Sequence, residues 1–271
     1  MKKIAIRTAS GLVYVLLIIV AIVCGSTAFA CVFTALTAIG VIECHKLLTG
    51  GKYVTLTSLL DAVGGCLMFL SVFFSYNCES AVSPLLVYLP YLLVRMVVQL
   101  YRHESDGHKA LAASAMTQVY VALPMTLLNV LCYDVATPQL LLAGLIFIWI
   151  NDTGAYCVGS MIGRHRLFER ISPKKSWEGF FGGLVFAIIG GIIFSVYFAD
   201  YFGTLSLGVW TAYAVAVSVF STWGDLVESL IKRNAGVKDS SNIMPGHGGI
   251  LDRIDSLLLV AVATTIFFYL I

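Results

Sequence analysis

The sequence predicts an all-α fold, a polytopic integral membrane bundle of about nine transmembrane helices that forms one domain over residues 1–271. Composition is the first reason: the chain is 59% hydrophobic and 12% charged, whereas soluble domains contain about 25% charged residues. Second, the apolar runs reach about 20 residues, the length that a helix needs to cross a bilayer. Third, Lys and Arg cluster in alternate connecting segments, as they do in membrane proteins.

The apolar runs define the candidate spans in order. They cover approximately residues 7–24, 28–48, 54–76, 84–101, 111–132, 139–161, 179–200, 205–231 and 250–271. The helices of the first part, about residues 1–135, contain few polar side chains, and we expect them to form a scaffold. Polar residues concentrate in the second part, about residues 139–271, where we expect the catalytic site.

Positive charge predicts the orientation of the chain. If the N-terminus is cytoplasmic, all 17 Lys and Arg residues lie on the inner side. This count places Arg95 in the inner half of its span and Arg253 at the start of the last span. The charged side chains of the predicted outer loops are all acidic, namely Glu79, Asp134 and Asp200. The positive-inside rule therefore predicts an N-terminus inside and, with nine spans, a C-terminus outside.

The N-terminal segment also has features of a secretory signal, because Lys2 and Lys3 precede an apolar run that ends at Ala28-Phe29-Ala30. However, the sequence stays apolar well past Cys31. Cleavage would also leave an even number of spans and put one end of the chain on the wrong side. We therefore expect the first helix to remain uncleaved.

Composition and motifs argue against several functional classes. A net charge of +2 gives no indication of nucleic-acid binding. The seven cysteines are scattered without CxxC pairing, so neither a zinc site nor a disulfide framework is predicted. Walker A, GxSxG and HExxH motifs are absent, which leaves P-loop enzymes, serine hydrolases and zinc proteases without support.

The first part of the chain has three main ionisable groups in or near its spans: Glu43, Asp61 and Arg95. We expect each to be an interfacial or snorkelling side chain. Glu43 lies beside His45 and Lys46 where the second span meets the cytoplasm. It could touch the site, but the sequence does not assign it there.

Four polar clusters distinguish the second part, and the first is Asn151-Asp152 inside the sixth span. Ionisable groups within spans are expensive and therefore indicate function. Asp152 shares a helix face with Tyr156, four residues on. Its carboxylate suits a cation or a nucleotide hydroxyl, although a neighbouring helix could instead cap it.

The second cluster is the basic segment 162–178, which ends in Ser172-Pro-Lys-Lys-Ser-Trp-Glu-Gly179. An ordinary cytoplasmic loop that contacts anionic lipids would explain its arginines. Lys174 and Lys175, at the start of a helix, are also suited to phosphate binding because helix N-terminal amides add donors.

The third cluster is a stripe on the eighth span, formed by Ser221, Thr222, Asp225, Glu228, Ser229 and Lys232. From Asp225 the offsets are +3, +4 and +7, so these side chains share one helix face. Such a stripe cannot face lipid, and it predicts a protein interior or a water-filled cavity.

The fourth cluster joins the loop after this span to the last helix. It contains Lys232, Arg233, Lys238, Asp239, His247, Gly248, Gly249, Asp252, Arg253 and Asp255. The turn Pro245–Gly249 allows backbone amides to approach a ligand closely. We expect Asp225 and Asp252 to converge if the loop folds the last two helices together. Carboxylates among Lys and Arg suit Mg²⁺ with phosphate oxygens, which indicates nucleotidyl or phosphoryl transfer.

The string from Ser229 through Lys232-Arg233, Lys238-Asp239 and His247-Gly-Gly to Asp252-Arg253-x-Asp255 resembles the signature of the phosphatidate cytidylyltransferase family, also called CDP-diacylglycerol synthases. The strings Asp152–Tyr156 and Ser172–Gly179 resemble that family too. Two positions depart from its pattern: Met244 replaces a branched or aromatic residue, and Ser176 replaces Thr.

This resemblance implies that phosphatidic acid attacks the α-phosphorus of CTP and that pyrophosphate leaves. It implies Mg²⁺, with or without a second cation such as K⁺, bridging Asp225 and Asp252. The resemblance also implies a catalytic set of Asp225, Asp252, Lys232, Arg233, Lys238, His247 and Asp255. Substrate contacts would come from Lys174, Lys175, Ser172, Asn151, Asp152, Ser229, Asp239, Gly248, Gly249 and Arg253. Further expectations are a homodimer, a bacterial inner membrane and a site that faces the cytoplasm.

Other functions stay open from the residues alone. A CTP-dependent lipid kinase, such as a polyprenol kinase, uses a similar glycine-and-carboxylate arrangement. A cation-coupled transporter would also contain intramembrane carboxylates. However, carriers usually repeat such groups in both halves. A non-catalytic membrane scaffold would leave the polar stripe unexplained.

Overall fold

The computed structural model describes residues 2–51, 53–78, 82–102, 106–246 and 248–271. His247, which the sequence assigns to the site, lies outside these residues. The helices are α1 (Lys2–Val23), α2 (Ser26–Thr49), α3 (Leu56–Asn77), α4 (Pro84–Leu100), α5 (Gly107–Thr117), α6 (Leu123–Val130), α7 (Pro138–Ile162), α8 (Trp177–Tyr197), α9 (Ala199–Phe202), α10 (Leu207–Asn234) and α11 (Leu251–Leu270). Two π-helical segments, π1 (Gln118–Ala122) and π2 (Leu131–Val135), and two strands, β1 (Arg166–Phe168) and β2 (Ser172–Ser176), complete the fold.

Seven described helical segments are long and apolar enough to cross a bilayer: α2, α3, the run Gly107–Val135, α7, α8, α10 and α11. Two shorter apolar helices, Thr8–Val23 and Pro84–Leu100, coincide with the first and fourth predicted spans. Helices suit these runs because a bilayer offers no hydrogen-bond partner to backbone groups. The prediction of a polytopic helical membrane protein is confirmed.

The fifth span is one continuous helical run with two π-helical interruptions, π1 and π2. A π segment changes the direction of the side chains that follow it. Gln118 of π1 donates from Nε2 to the backbone oxygen of Asp61 at 2.8 Å. This bond ties the fifth span to α3.

The segment between α7 and α8 is a small antiparallel hairpin of β1 and β2 rather than an irregular loop. Ser176 ends β2 and caps α8, because its hydroxyl accepts a bond from the Gly179 N–H at 3.1 Å. Glu178 in the first turn of α8 accepts bonds from the backbone N–H groups of Arg164 and His165. These bonds hold the hairpin against the start of α8.

Helices α7, α8, α10 and α11 pack together in the second part of the chain. Phe147 of α7 contacts Phe194, Trp210 and Tyr213, which come from α8 and α10. At Gly224 an added Cβ would lie 2.7 Å from the carbonyl oxygen of Asp255. Glycine at this position therefore allows α10 and α11 to approach closely enough for their polar side chains to meet.

The charges of the first part are buried and have polar partners, so the expectation of interfacial or snorkelling side chains is wrong. Glu43, Asp61 and Arg95 are 1%, 0% and 3% exposed. Asp61 lies 2.7 Å from His45 Nδ1 and 3.3 Å from Arg95 Nε, and it accepts a bond from Tyr91 OH at 2.9 Å. Because α3 packs against both α2 and α4, Asp61 faces His45 and Arg95 and not lipid.

Candidate active site

A cavity of about 550 Å³ lies between α7, the hairpin, α8 and α10. Its lining combines three of the four predicted polar clusters. The polar lining residues are Asn151, Asp152, Tyr156, Ser160, Arg166, Lys174, Lys175, Ser176, Thr222 and Asp225. Tertiary packing therefore brings the sixth span, the basic segment and the polar stripe to one opening.

Three carboxylates meet beside this cavity. One ligand oxygen from each of Asp225, Glu228 and Asp255 lies within 4.8 Å of the others. Asp225 also lines the cavity, so the carboxylate cluster is continuous with it. Glu228 is fully buried, and its Oε1 has no hydrogen-bond partner among the described residues. Three acidic groups this close repel one another unless a cation or a proton compensates them.

Lys175 is the cation that contacts this cluster from the hairpin. Its Nζ lies 2.6 Å from Asp225 Oδ2 and donates to the backbone oxygen of Thr222 at 3.4 Å. Ser229 donates to the other oxygen of Asp225 at 3.2 Å. Lys174 is exposed on the same strand and lines the cavity. The two lysines therefore present positive charge to any anion in the cavity.

Asn151 connects α7 to α10 behind the cavity. It is 1% exposed, donates from Nδ2 to Ser221 Oγ at 3.0 Å, and accepts a bond from Ser218 Oγ at 2.7 Å. Its neighbour Asp152 is exposed at the cavity wall. The adjacent pair therefore divides into a buried interhelical contact and a side chain that a ligand can reach.

Asp252 lies next to this cluster and is joined to it through Lys232. The family resemblance implies a metal shared by Asp225 and Asp252, which stays a prediction; the structure places Glu228 and Asp255 beside Asp225. Asp252 Oδ1 instead accepts a bond from Lys232 Nζ at 2.6 Å, and Lys232 also contacts Glu228. Asp252 and Asp255 are three residues apart on α11, and both side chains approach α10: Asp252 contacts Lys232, while Asp255 lies beside Asp225 and Glu228.

The second oxygen of Asp252 organises the loop before α11. Its Oδ2 accepts bonds from the Ser240 N–H at 2.9 Å and from the Gly249 N–H at 2.7 Å, and it shares the single hydroxyl hydrogen of Ser240, whose Oγ is 2.9 Å away, with Glu43. Gly248 has φ +83°, and a Cβ there would lie 2.5 Å from Asp252 Oδ2. Gly248 and Gly249, which the sequence predicted to approach a ligand, thus lie directly against the Asp252 carboxylate.

Glu43 of α2 reaches the same loop, and the sequence did not assign it to the site. Its carboxylate accepts bonds from the N–H groups of Ile250 and Leu251 at 3.2 and 2.7 Å. The hydroxyls of Ser240 and Ser241 donate to it at 3.0 and 2.5 Å. Its position as a carboxylate at the end of an apolar span was the available signal.

The remaining predicted residues lie around the loop or on its surface. Arg233 is exposed and donates to the backbone oxygens of Ile171 and Val237 at 3.3 and 3.4 Å. Lys238, Asp239 and Arg253 are exposed, and Ser172 is half-buried on β2. None of these residues lines the cavity. Arg166 does line it and was not singled out, because it was one of several arginines in a basic segment.

The chemistry of this arrangement follows from its donors. An unpartnered carboxylate oxygen among three crowded acids fits a hard divalent cation, which prefers oxygen ligands. Lys174, Lys175 and Arg166 on one side of the cavity fit phosphate oxygens. The site can therefore bind a polyanion and neutralise its charge, as nucleotidyl and phosphoryl transfer require.

Comparison with known proteins agrees with this chemistry. A curated protein from Staphylococcus haemolyticus (strain JCSC1435), named phosphatidate cytidylyltransferase, is 46% identical over 122 residues, which cover 44% of this chain and 45% of that protein. A protein of the same name from Staphylococcus aureus (strain COL) is 47% identical over 122 residues, with the same coverage. The match thus spans less than half the length of these relatives.

The sequence profile of the cytidylyltransferase family matches a much longer part of the chain. It covers residues 5–271, which include the helices of the first part, the residues that line the cavity and the carboxylates Asp225, Glu228, Asp252 and Asp255. The chain therefore belongs to the cytidylyltransferase family.

Proposed function

We propose that this protein transfers the cytidylyl group of CTP to phosphatidic acid and forms CDP-diacylglycerol and pyrophosphate. The observation that carries the proposal is the cluster of Asp225, Glu228 and Asp255 beside a cavity lined by basic side chains. The relatives named phosphatidate cytidylyltransferase support the same substrates.

The reaction forms one P–O bond and breaks another. An oxygen of the phosphatidic acid phosphate attacks the α-phosphorus of CTP, and the bond to the α,β-bridging oxygen breaks as pyrophosphate leaves. Because the attacking phosphate is already ionised near neutral pH, no side chain has to remove its proton. Lys174, Lys175 and Arg166 orient the phosphates and neutralise charge on the leaving pyrophosphate.

A divalent cation belongs to this proposal. Asp225, Glu228 and Asp255 would hold Mg²⁺, alone or with a second cation such as K⁺, and the unpartnered Oε1 of Glu228 is the observation that favours it. When bound, Mg²⁺ neutralises phosphate charge and organises phosphate oxygens. Asp252, Lys232 and Ser240 hold the helix that carries Asp255.

The membrane setting is part of the same proposal. The positive-inside pattern supports an N-terminus in the cytoplasm, a C-terminus outside and a cavity that faces the cytoplasm. Such a site can take CTP from water and phosphatidic acid from the inner leaflet. We extend the proposal to a bacterial inner membrane and to a homodimer.

The test uses protein purified in detergent with dioleoyl phosphatidic acid, Mg²⁺ and CTP labelled on the α-phosphate. We expect label in the lipid and release of pyrophosphate. The Asp255→Asn variant should lose both signals, whereas Asp106→Asn, which alters an exposed carboxylate paired with Lys109, should keep them.

Two outcomes would replace the proposal. CDP without labelled lipid would indicate a lipid kinase, to be tested with γ-labelled CTP and a polyprenol. No turnover by folded protein would instead favour a cation-coupled transporter.

A further inference from the structure

One carboxylate of the scaffold reaches the catalytic part of the chain. Glu43 lies on α2, about two hundred residues before its partners, and it is 1% exposed. Its two oxygens each accept one backbone N–H and one hydroxyl, from Ile250 with Ser241 and from Leu251 with Ser240. Four donors converge on a side chain that comes from outside the site.

The two backbone donors, the N–H groups of Ile250 and Leu251, lie at the start of α11, and the two serines lie in the loop before it. The first N–H groups of a helix lack partners within it, and an anion there is favoured by the helix dipole. Glu43 satisfies two of these groups, so it fixes where α11 begins and how it is rotated. Asp252 lies in the first turn of α11 and Asp255 in the next, so their directions depend on this anchor.

Ser240 connects the anchor to the site. Its hydroxyl lies 3.0 Å from a Glu43 oxygen and 2.9 Å from Asp252 Oδ2. A Cβ at Gly249 would lie 2.5 Å from the same Glu43 oxygen, so the turn fits closely around the carboxylate. The path from α2 to Lys232 runs through Glu43, Ser240 and Asp252, each in direct contact with the next.

We propose that Glu43 is a positioning residue for cytidylyl transfer. It holds the loop before α11 and the first turn of that helix, and thereby aims Asp255 at Asp225 and Glu228. The inference rests on the proposed function. None of the hydrogen bonds described for Glu43 reaches a residue that lines the cavity. Substrate binding should therefore not depend on Glu43 directly.

The test compares Glu43→Gln with Asp61→Asn in the purified full-length protein. Both residues are buried carboxylates of the scaffold, but Asp61 contacts His45, Tyr91 and Arg95 and not α11. The glutamine keeps the size of Glu43 and replaces one acceptor oxygen with an amide NH₂. At least one N–H of α11 then loses its acceptor.

We expect Glu43→Gln to lower kcat by about 10²-fold, because small displacements of catalytic groups have effects of this size. The KM for CTP should stay within about threefold of the wild type, since Lys174, Lys175 and Arg166 are untouched. Asp61→Asn should lower thermal stability and leave both constants of the folded fraction within about threefold. A wild-type kcat in Glu43→Gln, or an equal loss in both variants, would overturn the proposal.

Hydrogen–deuterium exchange separates this inference from the proposed reaction. Amides of residues 249–256 should exchange faster in Glu43→Gln than in the wild type and in Asp61→Asn. If wild-type protein proves inactive, the proposed reaction fails, but faster exchange still supports the anchoring role. Unchanged exchange in Glu43→Gln would overturn the anchoring role whether or not the wild type is active.

Discussion

Both parts of the molecule contain buried carboxylates, but the partners that surround these carboxylates differ between the two parts. In the first part Asp61 is surrounded by three partners: the imidazole of His45, the guanidinium of Arg95 and the hydroxyl of Tyr91. In the second part Asp225, Glu228 and Asp255 lie within 4.8 Å of one another, and an oxygen of Glu228 has no described partner.

We propose that this difference separates a structural role for Asp61 from a catalytic role for Asp225, Glu228 and Asp255. A carboxylate with complete internal partners gains nothing from a ligand, and its removal leaves its partners buried and unpaired. The three crowded carboxylates contact only two lysines, Lys175 and Lys232, and Lys232 is shared with Asp252, so a further cation or a proton is needed to compensate them. The first kind should matter for stability, and the second for activity.

The largest expected effect tests the catalytic group. Asp225→Asn should lower cytidylyl transfer by about 10³-fold, because it removes a carboxylate that would hold the proposed cation and that positions Lys175 beside the phosphates. The melting temperature should stay near the wild-type value, since one repulsive charge is removed together with the Lys175 contact. Label transfer from CTP and a melting curve measure the two quantities. If Asp225→Asn kept activity within about tenfold of the wild type, the proposed catalytic role of this carboxylate cluster would be wrong.

The next effect tests Asp61 and its buried partners in the first part of the chain. Asp61→Ala should lower the free energy of unfolding by about 3 kcal/mol, because Arg95 is left buried without its anion. Activity per folded molecule should change little. Thermal unfolding in detergent measures the loss, and Asp106→Ala at an exposed site is the control. A variant as stable as the wild type would show that Ser114 and Gln99 suffice as partners for Arg95.

A third variant sharpens the comparison at the cavity. Lys175→Gln should reduce kcat/KM for CTP by about 10- to 100-fold, which corresponds to one charge-assisted hydrogen bond. Lys175→Arg keeps the charge and should retain more activity than the glutamine variant. Steady-state kinetics at varied CTP concentration measure both. Equal constants in wild type and Lys175→Gln would remove this lysine from the phosphate site.

The smallest expected effect concerns the hydrogen bond from the uncharged Ser229 hydroxyl to Asp225. Ser229→Ala removes a 3.2 Å hydrogen bond to Asp225 and should lower kcat/KM by about fivefold, the effect of about 1 kcal/mol. The same assay detects it, with Ser160→Ala at the exposed wall of the cavity as a matched control. A loss as large as that of Asp225→Asn would mean that the hydroxyl itself binds substrate.

Much of the fold could be predicted because its signals are local. Apolar length specified the spans, and the offsets within 221–232 identified the buried stripe on α10 before any neighbour was known. The role of Asp61 could not be predicted in this way. A single carboxylate in an apolar span looks the same whether its partners are cations on neighbouring helices or a bound ligand.

The sequence by itself determined the membrane fold class, the family resemblance and the side chains available for chemistry. Only the tertiary structure decided which side chains lie together: Asp225 lies beside Glu228 and Asp255, and Lys232 joins Glu228 to Asp252. It also decided that Glu43 of α2 holds α11. The reason is that spacing along one helix dictates a common face, whereas contacts between helices depend on their rotation and close approach, here at Gly224.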